Sequence, residues 1–146
     1  MTRNRHVGVI GTRATIRSGA YDKALRATDN NVRVSSRACP LLVPLIEEGL
    51  LEDDVTDRII ARYLEPLLSD GIDTLVLGCT HYPLLSPAIS RTLGDRIKLV
   101  DSAINCALAV TQLLDEQSLR AEQAARGELR LAPHHPDHNF LHRARA

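Results

Sequence analysis

A chain of 146 residues, with 18 Lys+Arg against 18 Asp+Glu, is the size of one domain and long enough to bury its own core. The charge balance gives no basis for a nucleic-acid or anionic-membrane partner, and aromatics at 3 % with no Trp argue against a base-stacking surface. The three cysteines, Cys39, Cys79 and Cys106, form neither a disulfide framework nor a zinc pattern. No apolar run approaches the roughly 18 residues of a membrane span, and the polar start MTRNRH is unlike a signal peptide. These exclusions leave a reduced, soluble, cytoplasmic α/β domain as the expectation.

His6 to Ile10 is apolar and β-branched and ends at Gly11-Thr12, which reads as a strand, a turn and a helix starting among Arg13 to Ile16. That helix is predicted to run past Tyr21 to about Thr28, where Asp29-Asn30-Asn31 breaks it, and Val32 to Val34 is a short second strand. Pro40 and Pro44 argue against one long helix over 38–49, so a loop and a short helix ended at Gly49 are expected. Val55, Ile59, Ile60, Tyr63, Leu64, Leu67 and Leu68 then fall on one face of a 3.6-residue period, interrupted by Pro66 and ended by Ser69-Asp70-Gly71.

Thr74 to Gly78 is a short apolar run ended by glycine, hence a buried strand, and Cys79-Thr80-His81 follows directly. Pro83 suits the first turn of a helix running to about Leu93. Ile97 to Val100 is a further strand, ending in Asp101-Ser102, and Ile104, Ala107, Leu108, Thr111 and Leu114 take helical spacing, with an extension into 120–126. Beyond Gly127 the pattern fails: Leu129 to Leu131 suggests one short strand, and 133–138 reads as a poorly ordered tail. His134, His135 and His138 there lack the partners of a metal site.

Three strands thus end in Gly-Thr, Gly-Cys-Thr and Asp-Ser. In one parallel sheet these ends converge on the edge where open α/β folds bind ligands, although small polar residues at such junctions also serve simply as turns and caps. Cys79 is the sharpest candidate, because a helix start there would depress a thiol's pKa and His81 is near enough to pair with it. A lone cysteine is nevertheless more often a small buried hydrophobe, and the residues alone leave both roles open. Cys39 and Cys106 fit packing positions.

Taken together, residues 7–21, the block Ala38-Cys39-Pro40-Leu41-Leu42-Val43-Pro44-Leu45-Ile46-Glu47-Glu48-Gly49, the block Leu77-Gly78-Cys79-Thr80-His81-Tyr82-Pro83-Leu84-Leu85, and Asp101-Ser102 resemble the glutamate racemases in order and content. The resemblance covers roughly residues 6–115. It implies an open, mainly parallel sheet flanked by helices, one domain of a two-domain racemase fold. It also implies cofactor-independent interconversion of L- and D-glutamate for peptidoglycan synthesis. Two cysteines on opposite faces of the substrate Cα exchange its proton in that family. Cys79 matches the second cysteine, His81 the histidine assisting it, and Glu47 the acidic residue near the substrate amino group. Thr12 and Thr80 match residues holding the substrate carboxylates, with Thr15 nearby.

The family's Asp-Ser-Gly and Ala-Cys-Asn-Thr motifs, the latter carrying the first cysteine, do not occur in this sequence. The expectation is a truncated, impaired racemase: a racemase-type domain over 1–102, a helix over 103–126 that would return to the missing first domain, and a tail over 127–146. A homodimer or a complementing first-half chain would then have to restore the site. The competing readings are a racemase of aspartate or another acidic amino acid, and a non-catalytic remnant acting as a binding domain. Gly11-Thr12 as a phosphate cradle lacks a full glycine-rich pattern.

Overall fold

Hydrophobic alternation along two strands fixes how this chain layers. In the computed structural model, which describes residues 2–120, β1 (His6–Gly11) points Val7 and Val9 to one face of the sheet and Ile10 to the other. Likewise β3 (Thr74–Gly78) sends Val76 one way and Leu75 and Leu77 the other. Both strands are buried throughout, as a parallel sheet covered on two faces requires. With β2 (Arg33–Ala38) and β4 (Lys98–Asp101) they form a four-stranded parallel sheet in the order β2-β1-β3-β4.

Parallel neighbours need crossover connections, and the helices supply them. The first connection, α1 (Arg13–Ser18) and α2 (Ala20–Thr28), leads from β1 outward to β2. The next, α3 (Leu42–Glu47) and α4 (Asp54–Ser69), crosses back over β1 to β3, and α5 (Ser86–Leu93) continues that way to β4. The cores follow the same division. Ile16, Tyr21 and Leu25 cover Val7, Val9 and Val76 on one face. On the other, Leu42, Ile46, Ile60, Leu64, Leu67, Leu85 and Ile89 pack on Ile10, Leu75 and Leu77. Each fully buried side chain of that size contributes about 1.5–3 kcal/mol.

The long periodic helix stands as α4, with Asp53 capping it through Val55 N at 2.8 Å and Gly71 in the left-handed region (φ 80°) just past its end. The strands begin and end within a few residues of expectation, except that β2 runs on to Ala38, because its ladder with β1 continues through Gly11. Two helices depart more. The first is divided: Gly19, at φ 62°, closes α1 by donating to Ile16 O and starts α2 in a new direction. The helix at Pro83 begins instead as a 3-10 turn over Tyr82–Leu85 before α5.

Residues up to Ala109 form one compact unit, and a second begins at Val110. The last helix among the described residues, α6 (Ser102–Glu116), ends before Arg120, after which Leu119 N bonds Leu114 O and Arg120 pairs with Asp115. Ile104, Leu108, Val110 and Leu113 of α6 are exposed, and so is Cys106, contrary to the packing role expected of it. Helix over 121–126, the strand at Leu129 to Leu131 and the histidine-bearing tail lie outside the described residues. No helix among the described residues is long and apolar enough to cross a membrane.

At the amino ends of the strands, Asp73 ties down the chain start. It accepts from the Thr2 hydroxyl, the Arg3 and Asn4 amides and the Thr74 hydroxyl. Burial disfavours its charge, but these donors outweigh that and hold its pKa at about 2. An unfolded aspartate titrates near ~3.9, so the stabilisation is complete above about pH 4 and lost as pH falls through about 2. Asp73→Asn should therefore cost about 1 kcal/mol at neutral pH, allowing for solvent screening. It should also flatten the acid limb of the stability profile, as urea unfolding across a pH series will read.

Candidate active site

All four strands point their carboxyl ends to one edge. Ala38, Gly11 and Gly78 share a row of the ladder, and Asp101 pairs with Leu77 one residue earlier. Because the chain leaves β1 towards β2 and later returns to β3 on the other side, the order reverses between β1 and β3. Ligand crevices of open α/β sheets lie at that reversal. Thr12 follows β1 there and Cys79 follows β3.

Glycine at both strand ends lets the two segments come together. A Cβ on Gly78 would lie 2.9 Å from the Ile10 carbonyl and 3.0 Å from the Tyr21 ring, and one on Gly11 would press on Thr15 at 3.1 Å. Thr12 caps α1: its hydroxyl accepts from Thr15 N at 3.2 Å and lies 3.0 Å from the Thr15 hydroxyl. The capping role thus engages the same hydroxyl that stands at the end of β1. Just past β4, Ser102 donates to Leu77 O at 2.8 Å, bracing the strand end.

Cys79, Thr80 and His81 form the turn after β3. The thiol is half-buried, and its Sγ lies 4.0 Å from His81 Nδ1, at the limit of a sulfur hydrogen bond. The Thr80 hydroxyl is 3.5 Å from the same nitrogen. The other ring nitrogen, Nε2, lies 3.7 Å from Glu47 Oε1 at the end of α3, an ion pair when the imidazole is protonated. As both side chains are well exposed, that pair contributes little stability. Its significance is geometric: carboxylate, imidazole and thiol stand in sequence, the imidazole presenting one nitrogen to each neighbour. The turn beyond is a four-residue 3-10 helix, so the thiol does not open a regular α-helix as expected.

The structure brings Cys79, His81, Thr80 and Glu47 into one connected group and pairs Thr12 with Thr15 at the neighbouring strand end. Cavities of about 410 and 210 Å³ lie elsewhere, one at Arg3, Asp73, Asp95, Arg96 and Lys98 and one beside β4. Neither includes Thr12, Glu47, Cys79 or His81. Cys39 takes the packing role expected of it: it is fully buried, and burial pushes its pKa up to about 12 against the opposing pull of Arg37. Sequence reasoning passed over Tyr82, which is buried under this turn with its hydroxyl donating to Cys39 O at 2.9 Å. A tyrosine directly after a candidate catalytic triplet, in a chain with three tyrosines, was the available signal.

The profile of the Asp/Glu/Hydantoin racemase family matches residues 1–113. The glutamate racemase of Neisseria meningitidis serogroup A is 50% identical over 118 residues, which are 81% of this chain and 43% of that protein. That of Geobacter metallireducens is 52% identical over 114 residues, 78% of this chain and 42% of that protein. The chain thus spans less than half the length of the curated relatives it matches. Among solved structures, a glutamate racemase of Bacillus anthracis superposes with TM-score 0.80 at 37% identity, over 84% of this chain and 46% of that one. The Francisella tularensis enzyme, in complex with D-glutamate, gives 0.76 at 34% identity, over 82% and 44%.

Two outcomes follow from the packing at this edge. Gly78→Ala should destabilise by about 1–3 kcal/mol, since backbone rather than a mobile side-chain tip must give way; denaturant unfolding measures it. Iodoacetamide at pH 8 should label Cys79 and Cys106 while Cys39, with a pKa near 12, stays unmodified until the chain unfolds, as peptide mass spectrometry will show.

Proposed function

We infer from its membership of the Asp/Glu/hydantoin racemase family, to which this chain belongs, that it is the second, thiol-bearing half of a glutamate racemase. The observation that carries the reading is the Cys79–His81–Glu47 sequence of contacts at the β1/β3 reversal. Identity near 50% to proteins named glutamate racemase favours glutamate over other acidic amino acids. The chemistry needs no cofactor. Free thiols and a small charged substrate suit a reducing cytoplasm, and the D-glutamate would serve peptidoglycan synthesis.

In the proposed reaction the Cys79 thiolate removes the Cα proton of the enantiomer whose hydrogen faces it, and the electron pair remains on Cα, delocalised into the adjacent carboxylate. A thiol on the opposite face then delivers a proton and inverts the centre. His81 assists Cys79 in taking and giving the proton, and Glu47 holds the substrate ammonium. Thr12 and Thr80, with Thr15, hold the carboxylates, and their donors offset the carbanion's charge, the largest obstacle to deprotonating so weak a carbon acid.

Residues 1–146 present one thiol at this edge, and one base cannot serve both faces of Cα. The opposite base would come from a first-half domain, on this polypeptide or on another, or from a second copy arranged to supply one. The exposed apolar residues of α6, among them Ile104 and Leu108, are the surface that such a half would cover.

Circular dichroism on L-glutamate tests this. The chain alone should give no measurable inversion. Adding the separately expressed first half of a relative should restore it, and Cys79→Ala in the restored pair should lower the rate by about 10²–10⁴. Turnover by the chain alone at the rate of an intact two-domain racemase, abolished by Cys79→Ala, would overturn the one-base reading.

A further inference from the structure

Two links join the turn bearing Cys79 and His81 to the segment bearing Glu47. One is the exposed His81–Glu47 approach at 3.7 Å. The other lies beneath it: Tyr82, fully buried, donates its hydroxyl to Cys39 O at 2.9 Å, 43 residues away in sequence. Cys39 in turn donates its N–H to Gly11 O at 2.9 Å, and Tyr82 N–H returns to Cys79 O at 3.3 Å. A continuous run of hydrogen bonds therefore passes from the end of β1, through the loop before α3, to the carbonyl of the candidate base.

The exposed link is weak and screened, so by itself it cannot fix the imidazole. The buried link excludes water and has one geometry. We propose that Tyr82 is a positioning residue: its hydroxyl, by holding the Cys79–His81 turn against the loop before α3, sets the distance at which His81 meets both Glu47 and Cys79. The proposal rests on the site reading given above and adds the element that makes that site rigid. Burial, together with the nearby Cys39, Cys79 and Tyr63, pushes the phenol's pKa well above its ordinary value, so the hydroxyl remains a donor across the neutral range.

Tyr82→Phe isolates the hydroxyl. The ring still fills its place in the core, and Cys39 O keeps a second donor, Leu42 N at 3.2 Å, so no carbonyl is orphaned and the variant folds, which a thermal melt will verify. The readout is the iodoacetamide alkylation rate of Cys79 across pH, in a Cys106→Ser background that removes the other exposed thiol, with His81→Gln as reference. Expected is a several-fold change in rate near neutrality in both variants, in the same direction. The double variant should be no further changed than His81→Gln alone, because both act through one imidazole. If His81→Gln alters the profile and Tyr82→Phe leaves it as in the parent, the positioning role is overturned while the thiol–imidazole pairing stands. If His81→Gln itself changes nothing, the pairing falls and the Tyr82 proposal falls with it.

Discussion

The site depends on how closely β1 and β3 approach at their carboxyl ends. Gly11 faces Gly78 across the ladder, and the space above Gly78 is taken by the Tyr21 ring and the Ile10 carbonyl. A side chain at either position would spread the two strands where Thr12 and Cys79 leave them. The same row is extended to β2 by Ala38 and by the Cys39 N–H on Gly11 O. Three consecutive small residues across three strands therefore bring three loops together, and the functional groups are carried on those loops. The strands supply rigidity; Thr12 and Cys79 sit one residue beyond them, His81 three beyond β3, and Glu47 at the end of α3.

Much of this was legible in the sequence, for identifiable reasons. Continuous apolar runs ended by glycine marked β1 and β3, because a strand covered on both faces has no polar side to disguise it. The period of α4 was visible over four turns, as was its end at Ser69-Asp70-Gly71, while the Asp53 cap shows only in the structure. The edge shared by Thr12, Cys79 and Asp101 followed once the strands were taken as parallel. What failed to show was set by tertiary contact. β2, with the sequence RVSSRA, has no apolar signature, and its full length comes from pairing with β1. Gly19 looked tolerable inside one helix, yet its left-handed backbone separates two. Cys106 was read as packing from its helical neighbours, but α6 leaves it exposed.

Within the candidate site, residue types were legible and their connection was not. Nothing in the spacing of Glu47 and His81 places a carboxylate at the end of α3 beside an imidazole-bearing turn 34 positions on; only the crossover of α3 and α4 over β1 does so. Thr12 illustrates the limit of weighing structural against chemical roles, since the hydroxyl that makes it a candidate is the one that caps α1.

The outer edge of β2 has a further consequence. Arg33 and Arg37 flank two adjacent serines there, and the serines are tied to either face, Ser35 to Asp70 and Ser36 to Asp22. An unpaired ladder edge is a template on which another chain can add a strand and begin to aggregate. Here, at the edge of the sheet among the described residues, a newcomer would meet the exposed, charged Arg33, while β4 on the opposite side offers only four residues. The polar sequence that hid the second half of β2 is the same feature that keeps the sheet from growing.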